Sequence, residues 1–260
     1  MFARKFPVCA AGALSSPAKM IGRRCPARTL SLGLFVIIAL GSCRPLFNRE
    51  VSGAVLAVEG AANGTIRGKT IGLANGSSIK PGEKITTAKG SRADLMLLPG
   101  LLIELEGDTE IELTQLYFSK DGNELIDTME LRKARLRLFR GTLLVSVGRA
   151  RTRSQVFVET TAGVLSAGSG RIFRVETRDN KMRVMCVRGK TNFQAMEGGA
   201  PVKIGAGYFE EWPTDTPGPQ PAAKSGPQAQ AEVTEVLDVE KQLRFLERQQ
   251  RPAFTPWRRS

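Results

Sequence analysis

The sequence predicts an all-β domain in which antiparallel strands form a sandwich or a short, solenoid-like stack of hairpins, followed by a linker and one short helix. Short runs of alternating apolar and polar residues recur between Val51 and Trp212, a period typical of strands with one face on a core. Gly, Asn, Asp and Pro separate the runs, and 27 of the 260 residues are Gly, as expected for many turns. About a dozen strands at this spacing fit a sandwich.

The strand candidates follow one another along the chain. Pro99-Gly100 and Asp179-Asn180 are predicted to be the turns of two hairpins, and Gly107-Asp108 interrupts another run. The segment Phe118–Leu138 is ambiguous, because Glu124–Arg137 could also form a turn or two of helix. The clearest candidates are Val51–Val58, Ala93–Leu98, Leu101–Glu106, Glu110–Leu113, Arg135–Leu138, Leu143–Val147, Phe173–Glu176 and Met182–Val187.

The first 42 residues have the features of an export signal. The apolar run Leu30–Leu40 follows several arginines and has 11 residues, whereas a membrane-spanning helix needs about 20. The run ends in Leu40-Gly41-Ser42-Cys43, which resembles the lipobox of bacterial lipoproteins. The resemblance implies cleavage before Cys43, lipid attachment to its thiol and acylation of its amino group, for example with palmitate. Met20 offers a second start, which would shorten the signal.

The residue inventory excludes several kinds of active site. The chain contains no histidine, which excludes Ser-His-Asp and Cys-His catalysis, His-ligated zinc and haem. Its four cysteines, at positions 9, 25, 43 and 186, are too far apart for Cys-x-x-Cys motifs. We therefore predict a non-enzymatic protein without a metal or cofactor, and we expect the thiol of Cys186 to be a buried apolar group.

The net charge of +13 divides into two parts. Residues 1–42 carry six basic residues and no acidic one, and the remaining chain carries 32 basic and 25 acidic residues. An exported protein with this excess of positive charge meets anionic envelope polymers and lipid headgroups, not nucleic acid. We therefore expect the partner to be an envelope protein or an anionic envelope polymer, in addition to the membrane that holds the lipid anchor.

One stretch of the chain, Leu131–Val158, contains no acidic residue and eight basic ones, of which seven are Arg. Arg favours bidentate contacts with carboxylates and phosphates. Two interpretations are open: the arginines pair with acidic residues on neighbouring strands, or they form an open surface for an anionic partner. The acidic candidates are Glu104, Glu106, Glu110 and Glu112. The candidate binding residues are Arg132, Arg135, Arg137, Arg140, Arg149, Arg151 and Arg153.

The C-terminal region is predicted to be a linker followed by an amphipathic helix. Residues 213–231 are rich in Pro, Gly, Ala and Gln and have little to bury. Residues 232–251 have apolar side chains at helical spacing, and Pro252 ends the pattern. This apolar face could bind a partner or dock on the parent domain. It consists of Val236, Val239, Leu243 and Leu246.

Several short motifs, in order along the chain, resemble the FecR domain. The run Lys80–Leu95 contains a turn, a strand and Gly90-Ser91-Arg92-Ala93-Asp94-Leu95, and Gly170–Val175 is similar to the Gly-Thr-x-Phe-x-Val strand of the family. The order is preserved over residues 51–212, which are 162 of the 260 residues. The other matching pieces are Leu98–Gly100, Leu138–Leu143, Val158–Val164, Val187–Thr191 and Lys203–Gly207.

The resemblance implies a periplasmic, β-rich module for sensing or protein contacts. The best-known members of the family regulate sigma factors in iron uptake. They carry a cytoplasmic helical anti-sigma segment and a membrane span before this domain. Only 29 residues precede the apolar run here, none of them acidic, so we expect neither segment in this chain.

These observations lead to one predicted function and two alternatives. We predict a membrane-anchored lipoprotein of the bacterial envelope, facing the periplasm or the cell surface, whose FecR-like domain binds or scaffolds an envelope partner. The first alternative is a regulator in transmembrane signalling of the FecR/sigma-factor type. The second is an enzyme that acts on cell-wall polysaccharide, with Glu104 and Glu106 as its paired carboxylates.

Overall fold

The computed structural model describes residues 47–120, 129–149, 153–179, 181–196, 198, 200–213, 220–221 and 227–250. Strands dominate these ranges, and one helix follows them, α1 (Pro227–Gln250). The strands are β1 (Phe47–Glu50), β2 (Gly53–Glu59), β3 (Ala62–Ile66), β4 (Lys69–Gly72), β5 (Ser78–Ile79), β6 (Glu83–Thr87), β7 (Arg92–Leu98), β8 (Leu101–Leu105), β9 (Glu110–Lys120), β10 (Met129–Val147), β11 (Arg153–Glu159), β12 (Gly163–Gly168), β13 (Arg171–Arg178), β14 (Lys181–Arg188), β15 (Lys190–Ala195), β16 (Val202–Gly205), β17 (Tyr208–Trp212) and β18 (Gln220–Pro221).

The strands form two sheets that share β10. Sheet I has the order β4-β3-β6-β9-β10-β11-β12-β15-β16, and β1 pairs with the last residues of β9. Sheet II has the order β5-β2-β7-β8-β10-β13-β14-β17-β18. The pairing of β10 with β11 is parallel, and the other described pairings are antiparallel. Consecutive hairpins fall in one sheet or the other, so the predicted fold class is confirmed.

Gly141 is the corner at which β10 passes from sheet I to sheet II. Its φ of 93° lies in the region that favours glycine. A Cβ at this position would come within 2.5 Å of the Thr109 Cα atom, so a larger residue could not turn here. The Gly141 corner lets one 19-residue strand cover both sides of the core.

The core lies between the inner faces of the two sheets. Leu136 and Val158 from sheet I and Ile103, Val145 and Phe173 from sheet II are fully buried in one hydrophobic cluster. Burial of each large apolar side chain contributes about 1.5–3 kcal/mol. Ala134, Leu136 and Leu138 enter this core before the Gly141 corner, and Leu143, Val145 and Val147 enter it after the corner, so the sequence alternates on each side of the corner.

Helix α1 covers part of the outer face of sheet II. Val236 and Leu243 are buried there against Leu56, Leu102 and Leu144, and Val239 and Leu246 pack at the edge of the same cluster. The apolar face that the sequence offered to a partner is therefore occupied by the parent domain. The driving force is the burial of apolar side chains that protrude from the outer face of sheet II.

Two boundaries differ from those predicted from sequence. The helix begins at Pro227, five residues before Glu232, because Pro is suited to the first helical turn and Ala229 packs on Met185. Residues 129–137 lie in β10, so the helical alternative for this part of Glu124–Arg137 is wrong. The export signal, the Leu40–Cys43 motif and Arg151 lie outside the described residues.

Candidate binding face

The outer face of sheet I is built by alternate residues of β10 and its neighbours. Ala134 and Leu136 are fully buried, so the residues between and after them, Arg135 and Arg137, point to the opposite face. Arg137 is 49 % exposed. No described element packs over this face, whereas α1 covers the outer face of sheet II. Within the described residues, the outer face of sheet I is therefore accessible to a partner.

The arginines of this face are paired with acidic side chains of neighbouring strands. Arg137 stands opposite Glu112 of β9 and Glu159 of β11, at N–O distances of 3.7 Å and 3.3 Å. The Arg135 guanidinium lies 3.2 Å from the Glu159 carboxylate. Each exposed pair contributes about 0.2–1 kcal/mol. Of the two interpretations of the arginine-rich stretch, these contacts therefore fit the one in which the arginines pair with acidic residues on neighbouring strands.

The row of ion pairs continues to the Gly141 corner. Arg140 lies 2.7 Å from the Asp108 carboxylate and 3.4 Å from the Glu110 carboxylate. A hydrogen bond of 2.8 Å from Lys84 to Glu110, together with Arg140, lowers the pKa of Glu110 from its usual value. We call the whole row the charge ladder. It consists of Lys84, Arg135, Arg137, Arg140, Asp108, Glu110, Glu112 and Glu159.

Aromatic rings lie among these charges. The Lys84 ammonium lies 4.7 Å from the centre of the Phe139 ring, and the Arg135 guanidinium lies 5.3 Å from that of Phe157. The Lys133 ammonium is within 5.6 Å of both Tyr117 and Phe157. Phe139 is 36 % exposed. The face therefore offers flat apolar rings framed by charges, a composition suited to protein contacts.

A pocket of about 320 Å³ lies farther along sheet I, between β12, β15 and β16. Its lining is mostly apolar and consists of Ser166, Asn192, Phe193, Gln194, Pro201 and Lys203. The pocket is open to solvent, and it extends the outer face as a shallow depression.

Of the other four predicted arginines, the three that the structure describes do not join the charge ladder. Arg132 reaches across to sheet II, where its guanidinium donates a hydrogen bond to the carbonyl oxygen of Pro99. Burial lowers the pKa of Arg132, and the nearby Glu247 carboxylate partly offsets this effect. Arg149 and Arg153 are exposed where β10 ends and β11 begins. Arg151 lies outside the described residues.

Glu104 and Glu106 are not partners of these arginines, so the predicted pairing is wrong for these two of the four acidic candidates. Glu104 lies on sheet II, buried beside Asp94 of β7, and Glu106 pairs with Arg174 at 2.6 Å. Glu104 and Glu106 lie on the side of sheet II because the chain passes to sheet I only after Gly107, where β9 begins at Glu110. Glu104 and Glu106 also point to different partners, so they do not form a pair of facing carboxylates.

Three further features of the described residues concern metal ligands, the free thiol and membrane-spanning helices. No group of three or more Cys, Asp or Glu suited to a metal ion occurs among them. Cys186 is buried, and burial raises the pKa of its thiol, which disfavours the reactive thiolate. No stretch of helix within these residues combines the length and apolar character that crossing a bilayer requires.

Sequence reasoning missed the aromatic part of the face. Phe139 continues the alternation of Arg135 and Arg137, so its outward position could have been read from the period of two. Phe157 could not be assigned in this way, because its position opposite Arg135 depends on the parallel pairing of β10 with β11.

Part of the chain is similar to a known protein family. Residues 83–192 match the model of the family described as FecR protein. No curated protein matches the chain. Two crystal structures of a protein from Parabacteroides distasonis ATCC 8503, described as a "putative anti-sigma factor", are similar at 16 % and 17 % identity and a TM-score of 0.38. Each match covers 53 % of this chain and 59 % of the other chain.

Proposed function

Because the chain contains a FecR domain at residues 83–192, we propose that it is a non-enzymatic regulator of signalling at the bacterial cell envelope. The FecR match is the observation that carries this proposal, since the resemblance implies a module for sensing or protein contacts and the best-known members of the family regulate sigma factors. In this proposal the β domain lies outside the cytoplasm and transmits a signal by contact with a protein partner.

The outer face of sheet I is the proposed contact surface. Its support is the combination of exposed Phe139, cation–ring contacts at Lys84 and Arg135, and the absence of a described covering element. Protein interfaces typically combine aromatic residues and Arg at their centre with a polar rim. The charge ladder would give such a contact its orientation rather than most of its affinity.

A lipid anchor at Cys43 is the proposed link to the membrane. The support is the sequence Leu40-Gly41-Ser42-Cys43 at the end of an 11-residue apolar run. Two or more acyl chains hold a protein stably, because each buried CH₂ group contributes about 0.8 kcal/mol. Regulation would then be exerted from the membrane surface.

The regulatory role is tested by the effect of the contact face on gene expression. We expect deletion of the gene to change a defined set of transcripts, and we expect Phe139→Ala to reproduce the change. Phe245→Ala is the matched control, because Phe245 is 60 % exposed on α1, away from sheet I. Wild-type transcripts in the deletion strain would contradict the regulatory role, and equal effects of the two variants would contradict the contact face.

The anchor is tested by metabolic labelling with a fatty-acid probe. We expect Cys43→Ser to abolish labelling and to release the protein from the membrane. Cys186→Ser is the control, because the Cys186 thiol is buried and should take no label. Unchanged labelling of Cys43→Ser would contradict the anchor.

An envelope lipoprotein with a purely scaffolding role is the second candidate, and the Leu40–Cys43 motif is the observation that favours it. A scaffold would leave transcription unchanged when the gene is deleted but would alter the envelope fraction in which its partner is recovered. The same deletion strain therefore separates the two candidates.

A further inference from the structure

The two ends of β10 lie at the same end of the molecule. Leu131, near its beginning, pairs with Arg153 of β11. Val147, its last residue, is only six residues before Arg153, a length of chain that spans at most about 20 Å. The hydrogen bond from Arg132 to Pro99 joins sheet I to the β7–β8 turn at this end. We call it the β1 end, because Phe47 and Asn48 of β1 pair with Lys120 and Ser119, beside Leu131.

Turns from both sheets bring basic residues together at the β1 end. Arg149 packs over Gly170, whose added Cβ would lie 3.1 Å from the Arg149 Cγ atom. Arg171 passes over Gly189 and donates a hydrogen bond to the Lys190 carbonyl oxygen. Helix α1 also ends here, since Glu247 accepts a hydrogen bond of 2.7 Å from the Gly100 amide. The basic patch consists of Arg149, Arg153, Arg171, Arg188, Lys190 and Arg248.

Among the described residues, Arg188 is the one member of this patch that pairs with a carboxylate, that of Glu240 at 3.2 Å. Glu240 lies between Arg188 and Arg244 at the junction of helix and sheet, and Glu247 is buried against Gly100. Both carboxylates thus face inward. The β9–β10 connection, residues 121–128, carries three acidic residues and lies outside the described residues.

The chain enters the domain at the same end. Phe47 begins β1 four residues after Cys43, and four residues span at most about 14 Å. The orientation of this end towards the membrane depends on the proposed anchor at Cys43. An anchor on so short a tether would keep the β1 end, rather than the Gly141 corner, next to the bilayer.

We propose that the basic patch is a docking surface for the phosphate-bearing headgroups of anionic lipids. Docking would fix the orientation of the domain on the membrane that holds its anchor. The outer face of sheet I would then point parallel to the bilayer surface, where a partner can reach it. Each basic residue near an anionic bilayer adds to the attraction, which acts over about one Debye length. The observation that carries the proposal is the convergence of six basic residues and the chain's entry point at one end.

The proposal is tested with a soluble chain that begins at Arg44, which isolates the patch from the anchor. Residues 44–260 form one compact unit, and the core cluster lies entirely within it, so this chain keeps its own core. We expect it to bind vesicles containing about one third phosphatidylglycerol and to bind pure phosphatidylcholine vesicles far less. We expect Arg149→Gln/Arg153→Gln/Lys190→Gln to weaken binding by on the order of 10- to 100-fold, measured by flotation.

A matched variant carries the same charge change at the Gly141 corner. Lys89→Gln/Arg178→Gln/Lys181→Gln lowers the net charge by three as well, at exposed positions, and we expect it to retain vesicle binding. Equal loss in both variants would show that only net charge matters and would overturn the proposal, as would equal binding to neutral vesicles. Because the chain lacks Cys43, failure here leaves the anchor and the regulatory role to their own tests.

Discussion

Asp94 and Glu104 face each other across β7 and β8 on the outer side of sheet II. They are 1 % and 4 % exposed, and Arg92 approaches both, at 3.9 Å and 3.8 Å. Burial is the main cause that raises the pKa of both carboxyls, and the neighbouring Asp94 contributes to raising that of Glu104 to about 8. At neutral pH the Asp94–Glu104 pair therefore holds a proton in the folded protein.

This raised pKa predicts a loss of stability at alkaline pH. The folded state binds a proton at Glu104 that the unfolded state, with a pKa near 4.5, has already released. The resulting stabilisation is complete below the unfolded pKa and is lost as pH rises through about 8. We expect the thermal midpoint to fall between about pH 5 and pH 9, and Glu104→Gln to flatten this part of the profile.

Glu110→Gln is the control for the alkaline profile. Its carboxyl has a lowered pKa because of the Lys84 hydrogen bond, so its contribution is present above the unfolded pKa and is lost only as pH falls through the lower folded value. This variant should change the acid side of the profile and leave the alkaline side unchanged. An alkaline slope that persists in Glu104→Gln would contradict the assignment to Glu104.

At the scale of elements, β10 is the strand on which the fold depends. It is part of both sheets and buries core residues from each half, and the outward residues of its first half form the centre of the charge ladder. Ion pairs between neighbouring strands favour this register because a shift of one residue would turn the charged side chains towards the core.

Charge reversal tests whether the ladder stabilises the pairing of β10 with β11. We expect Arg137→Glu and Glu159→Arg each to lower the thermal midpoint by about 2–4 °C, since each opposes like charges and costs about 1 kcal/mol. The double variant should restore only the part of the loss that comes from this pair, because the reversed charges still face Arg135 and Glu112. Thermal unfolding followed by circular dichroism measures the effect.

Arg153→Glu is the control for charge reversal, because it changes the same charge at an exposed position outside the ladder. We expect a smaller change in midpoint for this variant. Additive losses in the Arg137/Glu159 double variant would contradict direct pairing.

At the scale of the whole molecule, α1 belongs to the domain rather than to a separate tail. It buries apolar residues of sheet II and places three acidic residues on basic or amide groups of the domain. Glu232 lies 2.7 Å from Arg183, Glu240 lies 3.2 Å from Arg188, and Glu247 accepts the Gly100 amide. The domain therefore extends beyond Trp212, where the alternating pattern of the sequence ends.

This arrangement predicts the effect of truncation. We expect residues 44–260 to unfold in one cooperative transition that a chelator does not shift. A chain that ends at Trp212 should be less stable and should aggregate, because it exposes Leu56, Leu102 and Leu144. Equal midpoints of the two chains, measured by calorimetry, would contradict a structural role of α1.

The sequence by itself determined the strand content, the two-sided character of the sheets and the resemblance to the FecR domain. These features depend on local alternation and on turn residues, as in Leu101–Glu106 and Asp179-Asn180, and such signals do not require knowledge of distant contacts. The apolar face of α1 could equally be predicted from the sequence, although the surface of sheet II that covers it could not.

Only the tertiary structure decided which charged groups meet. Glu104 and Arg137 both alternate with core residues, yet they lie in different sheets because the chain changes sheet at Gly107 and again at Gly141. The seven predicted arginines divide for the same reason: Arg135, Arg137 and Arg140 enter the charge ladder, whereas Arg149 and Arg153 join Arg171 and Lys190 at the β1 end. The physical cause is that a period of two fixes the side of a strand on which a residue lies, while pairing partners depend on long-range register and on folding at a corner.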